Sequence, residues 1–168
     1  MKKLAWAAAG VLTLTAGLTF VNATGAAAEN AADAPSSLVE DFSYPGADTI
    51  LKDFGLKVFK GDGHITFTTR KSYDDGQCAA NEIQVERSLD VEPYGYYYCF
   101  KTVGTTGLLT LEVPGTFGVR AGSTDVQAKA KLPEGTKTFE IPAGKPVPID
   151  PGSDNELPKA VLVELRLS

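Results

Sequence analysis

The chain is poor in the residues that most aqueous chemistry uses. It has one histidine, His64, in 168 residues. Imidazole is the side chain whose ordinary titration falls near neutral pH, so most acid-base or nucleophilic mechanisms there would have to use this residue. There is one tryptophan and one methionine, Trp6 and Met1, both close to the start of the chain. The two cysteines, Cys78 and Cys99, come with no histidine cluster around them. Structural zinc wants about four such ligands, so no metal is assigned. Basic residues are outnumbered by acids, 16 to 21. Phosphate binding needs the opposite balance, and a nucleic-acid partner is therefore not expected. The chain also lacks G-x-S-x-G, H-E-x-x-H and a glycine-rich phosphate loop ahead of a helix. No cofactor is implied.

Long apolar runs are equally scarce. The single one, residues 4–20, follows Lys2 and Lys3 and leads to Ala26, Ala27 and Ala28. That is the layout of a secretory signal peptide over residues 1–28. An uncleaved anchor needs about 20 unbroken apolar residues, whereas Gly10, Thr13, Thr15 and Gly17 interrupt this run. Val21-Asn22-Ala23 offers an earlier cut. Cleavage after Ala28 leaves 140 residues with 14 basic and 21 acidic side chains, a formal charge of −7. That length suits one domain, expected to be a monomer that does not insert into the membrane. Residues 29–40 are rich in Ala, Asn, Asp, Pro and Ser and read as a flexible leader. Residues 41–168 are the expected domain. Two cysteines in an exported domain allow one internal pairing, Cys78 to Cys99, which would contribute about 3 kcal/mol. A metal site or a reactive thiol is the alternative.

What is present is mostly alternation. Ala47, Ile50, Leu51 and Phe54 fall at helical spacing between Pro45-Gly46 and Gly55, which predicts one short helix with an apolar face that lids a core. From residue 56 the period becomes two. Strands are expected over 56–60 and 64–70, joined as a hairpin by Gly61-Asp62-Gly63. Further strands are expected over 82–87, with Ile83 and Val85 inward and Glu82, Gln84 and Glu86 outward, and over 94–101. The rest cover 108–113, 117–121, 126–132, 136–141 and 160–167, the last with Val161, Val163, Leu165 and Leu167 on one face. Residues 71–77 form a polar connection, and 142–158 form a proline-rich loop with at most an edge piece near Val147. Short strands with frequent turns predict an all-β protein. We read an antiparallel β-sandwich, immunoglobulin-like or jelly-roll-like, with one N-terminal helix and one disulfide.

The strand at 94–101 carries the most conspicuous side chains. Tyr96, Tyr98 and Phe100 share one face, and Tyr97, Cys99 and Lys101 the other. One face has to be core, so Tyr97, with Tyr94 in the preceding turn, is the candidate ligand contact, since tyrosine combines an apolar ring with a polar tip. Asp150, Asp154 and Glu156 are the acids that might suggest calcium, but they lack the order of a dedicated loop; Asp74 and Asp75 read as loop acids. His64 begins a strand with no active-site signature around it.

Gly61-Asp62-Gly63-His64-Ile65, Tyr98-Cys99-Phe100 and residues 109–114 resemble stretches of uncharacterised small secreted β-domain proteins of actinobacteria. The resemblance implies a secreted domain and assigns no functional residue. The sequence thus predicts an extracellular, non-catalytic binding domain for a cell-wall glycan or exported protein. The alternative is a secreted hydrolase or protease-associated factor using His64.

Overall fold

A computed structural model describes residues 43–153 and 156–168. The expected signal peptide (residues 1–28), the expected leader (residues 29–40) and Asp154 lie outside them. Ten strands follow one helix: α1 (Ala47–Phe54), β1 (Lys57–Gly61), β2 (Ile65–Ser72), β3 (Ile83–Ser88), β4 (Gly95–Thr102), β5 (Gly107–Pro114), β6 (Thr116–Arg120), β7 (Val126–Leu132), β8 (Gly135–Ile141), β9 (Pro146–Pro148) and β10 (Val161–Leu167). They form two five-stranded antiparallel sheets, ordered β1-β5-β10-β7-β8 and β2-β4-β3-β6-β9. The sheets pack into the all-β sandwich that the alternation predicts. Between them lies one core that includes Ile65, Ile83, Val85, Tyr98, Phe100, Leu109, Leu111, Leu162 and Leu165, all at most 1% exposed. No helix among the described residues is long and apolar enough to cross a membrane.

Gly61-Asp62-Gly63 is a turn but not a hairpin. β1 pairs with β5 and β2 with β4, so the chain crosses here from one sheet to the other. A glycine-rich turn reverses direction equally well in both cases. β10 also departs from simple alternation. A bulge between Leu162 and Glu164 interrupts its register with both neighbours, and the extra residue shifts the inward set. Leu162, Leu165 and Leu167 are buried; Val161 and Val163 are only half-buried. The helix sits where its spacing predicts and ends at Gly55 in the left-handed conformation. Its lid is partial. Ala47 and Ile50 pack on the core and Phe54 meets Phe67 edge-on at 5.0 Å, but Leu51 is exposed.

All four sheet edges are blunted against pairing with another chain. Tyr44 donates its backbone N–H to the Phe59 carbonyl of β1 at 2.9 Å, and its hydroxyl accepts the Phe67 N–H of β2 at 2.6 Å. β9 is three residues long and carries Pro146 and Pro148. β8 holds Lys137 opposite Ala130, on the core-facing side.

Candidate binding site

The outer face of the second sheet differs from that of the first. On the first sheet Lys57 pairs with Glu112, and Glu164 with Lys129 and Arg166, an ordinary solvated surface. On the second, strand register sets Lys71, Tyr97, Glu86, Gly118 and Pro148 side by side across all five strands. The next row is Thr69, Cys99, Gln84, Arg120 and Pro146.

This second row is covered, by the segment that leads into β3. Cys78 is bonded to Cys99, and its backbone N–H donates to Gln84 Oε1 at 3.0 Å. Glu82 accepts the Thr68 hydroxyl at 3.0 Å and the Ala79 N–H at 3.2 Å. Arg120 donates to the carbonyls of Cys78, Ala79 and Ala80 at 3.0–3.2 Å. Glu82 and Gln84 are therefore buried, contrary to the outward, solvated placement that alternation suggests. They do face out of the sheet, but another layer of chain lies on top.

The first row stays open, and an aromatic from the same segment completes it. The Tyr73 ring stacks on Tyr97 with centroids 4.8 Å apart at 36°. It lies over Gly95, where a Cβ would overlap the ring; only glycine leaves that space. Its hydroxyl is near the Arg87 carbonyl and Ser88 Oγ, at 3.4 and 3.5 Å. Burial, with Glu86 close by, pushes the Tyr73 pKa up to about 12 and raises that of Tyr97. Both phenols thus stay protonated at physiological pH. Residues 71–77 read as a plain polar connection in the sequence, so Tyr73 had no periodic signal. A glycine inside a strand of aromatics was the available hint.

Beyond Glu86 the row opens into a cleft of about 290 Å³ lined by Gln84, Glu86, Phe117, Gly118, Arg120 and Val147 among others. A bulge in β6 between its partners Glu86 and Arg87 inserts Phe117, which lines this cleft, and bulges re-aim side chains in this way. Gly118 is buried, and a Cβ there would come within 3.1 Å of the Val147 carbonyl, so glycine lets β9 lie close against the floor. The two cations of these rows are both held by backbone carbonyls: Lys71 donates to Gln77 at 3.0 Å, and Arg120 to the three named above. The ion pairs found among the described residues all lie elsewhere, which leaves Glu86 without a cation.

Tyr94 stands in the turn between β3 and β4. Its N–H donates to the Val91 carbonyl at 2.7 Å and its carbonyl accepts the Leu89 N–H at 2.9 Å. The Glu92–Pro93 peptide is cis, and Tyr94 has φ 59°, a left-handed backbone uncommon for a bulky side chain. Tyr94 and Val91 are 58% and 63% exposed.

His64 is placed differently. Its ring Nδ1 lies 2.8 Å from the Val103 carbonyl, and its carbonyl accepts the Val103 N–H at 2.9 Å. The neighbouring acid, Asp62, accepts the backbone N–H groups of His64 at 3.0 Å and Leu108 at 2.8 Å. These bonds tie the crossover turn to the loop between β4 and β5. In the proline-rich loop Asp150 is similarly used: it accepts N–H groups from Gly152, Lys159 and Ala160 at 2.6–3.0 Å. Glu156 pairs with Lys159. Of the acids considered for calcium, the two described are thus occupied by the chain itself.

Burial opposes ionisation of Asp62 and Asp150, but the N–H groups they accept outweigh it and hold both pKa values below the usual range. A carboxyl lowered on folding adds stability above its unfolded pKa, near about 4, and that stability is lost as pH falls through the folded value. The melting temperature should therefore decline below about pH 4. Asp150→Asn should lower it at pH 7 and flatten the acid decline in a thermal series from pH 7 to 3; an unchanged profile would remove Asp150 from the account.

No protein-family model matches the chain, and no curated protein matches it.

Proposed function

We propose that the chain is an exported, non-catalytic binding domain whose recognition surface is the open outer row of the second sheet together with the turn that displays Tyr94. The observation that carries this reading is the Tyr73–Tyr97 pair, two stacked rings set on a sheet face beside a cleft. Export rests on the pattern of residues 1–28, and the Cys78–Cys99 bond suits an oxidising compartment. The engagement of His64 with Val103 weighs against the hydrolase alternative, because the neighbouring carboxylate is already occupied by backbone. The resemblance to secreted actinobacterial β-domains fits the same reading. A cell-wall glycan or an exported protein is the expected partner.

The test is capture from a panel of cell-wall glycans and exported proteins by the intact protein and two variants. Tyr97→Ala should abolish capture. Tyr94→Gly should weaken it while the melting temperature stays level or rises, since glycine accepts the left-handed backbone that tyrosine strains. Capture undiminished in both variants would refute the proposal. Lost stability with capture intact would make Tyr94 a packing residue.

A further inference from the structure

We infer that the cleft beside Glu86 receives a basic side chain, lysine or arginine, from a partner polypeptide. This rests on the reading of the outer row as the recognition surface and names what that surface takes.

Three observations converge. First, Glu86 lies between Tyr97 and Gly118 in register, with the Tyr73 and Tyr97 rings on one side and the cleft on the other. A carboxylate next to aromatic faces is a site for a cation, which gains from the charge and from the ring quadrupoles together. Secondly, the cations of the two rows do not fill the role. Lys71 and Arg120 are both donated to backbone carbonyls, so the acid is left for an outside partner. Thirdly, the remaining polar groups do not suit a neutral sugar, which needs donors as well as acceptors. Gln84 Oε1 is taken by the Cys78 N–H, the Arg120 guanidinium holds three carbonyls, and the Tyr73 hydroxyl faces Ser88, the Arg87 carbonyl and the Glu86 carboxylate. What the cleft offers is that negatively charged acceptor, met from one side by the Tyr73 hydroxyl, with apolar walls from Phe117 and Val147. Its volume of about 290 Å³ accommodates one long side chain with an aliphatic stem. The excess of acids over bases, 21 to 16 in the chain, steers such a partner inward.

The experiment is an amide NMR titration of the disulfide-bonded protein with four probes: acetyl-Gly-Lys-Gly-amide, acetyl-Gly-Arg-Gly-amide, the same peptide with norleucine, and tri-N-acetylchitotriose. The two basic peptides should shift the Glu86, Tyr97 and Gly118 amides saturably. Affinity should fall about tenfold with norleucine and in Glu86→Gln, and should weaken as salt rises. The substitution is isosteric at a half-buried position, so an unchanged melting temperature serves as the folding control. Equal response to norleucine and lysine, or basic-peptide binding untouched by Glu86→Gln, would overturn the inference. Sugar binding lost in Tyr97→Ala but kept in Glu86→Gln would overturn it too, while leaving the tyrosine surface standing. No response to either basic peptide would also overturn it.

Discussion

Replacing both Cys78 and Cys99 by alanine should lower the free energy of unfolding by about 3 kcal/mol. The bond closes a loop between positions 21 apart, and opening it returns conformational freedom chiefly to the unfolded chain. Its position makes a second effect larger than the number suggests. Cys99 is fully buried in β4, and Cys78 anchors the segment that lies across the outer face of the second sheet. Five hydrogen bonds from three side chains, Gln84, Glu82 and Arg120, also hold this segment. Net hydrogen bonds are each worth about 1 kcal/mol, somewhat more with a charged partner. The covering layer should therefore remain in place in the folded double variant, but open more often. Tyr73 belongs to that layer, so its packing on Tyr97 and Gly95 should loosen. Urea denaturation measures the first effect, and the NMR line shapes of the Tyr73 and Tyr97 rings measure the second. A loss below about 1 kcal/mol with unchanged ring signals would mean that the polar ties alone fix the layer.

The contrast between what could be read from the residues and what could not follows from the range of the interactions involved. Alternation is local, and it located the inward Ile83, Val85, Tyr98 and Phe100 because each strand reports its own pleat. The helix was legible for the same reason, from its spacing and from Gly55. Pairing is not local. Lys57 meets Glu112 and Val161 meets Pro114, and nothing near Gly61-Asp62-Gly63 says which sheet the next strand joins. Bulges defeat alternation outright, since one extra residue inverts every later assignment; this is why Val161 and Val163 were misplaced and why Phe117 gave no sign of the cleft. The burial of Glu82 and Gln84 was hidden at another level. Alternation tells which way a side chain leaves the sheet, but not whether another stretch of chain lies over it. Within the candidate site, Tyr97 and Cys99 are visible from the strand, whereas Glu86 and Gly118 come together only through register across strands, and Tyr73 only through the segment that lies over the sheet.

Phe100→Ala should destabilise the fold by about 3–5 kcal/mol, while Tyr97→Ala, three residues earlier on the same strand, should cost about 1 kcal/mol. Phe100 has no solvent exposure. It lies opposite Phe67 and Ile83 in register and meets the Phe67 ring edge-on at 5.8 Å. Truncation removes the whole ring from a site enclosed by both sheets, and the surrounding β-structure is too constrained by its ladders to close the cavity. Tyr97 is half-buried on the opposite face, and its main loss is the stacking on Tyr73. The two substitutions should also separate in function. Tyr97→Ala removes binding from a protein that still melts cooperatively near its normal temperature. Phe100→Ala lowers the melting temperature, yet what remains folded should bind as before, because the outer row is untouched. Chemical denaturation and capture on the same samples test both halves. Equal stability costs would contradict the assignment of opposite faces, since a shift of the β4 register by one residue exchanges Tyr97 with the core set. A large cost at Phe100 with a small one at Tyr97 fixes the pleat, and with it the side of the sheet from which a ligand approaches.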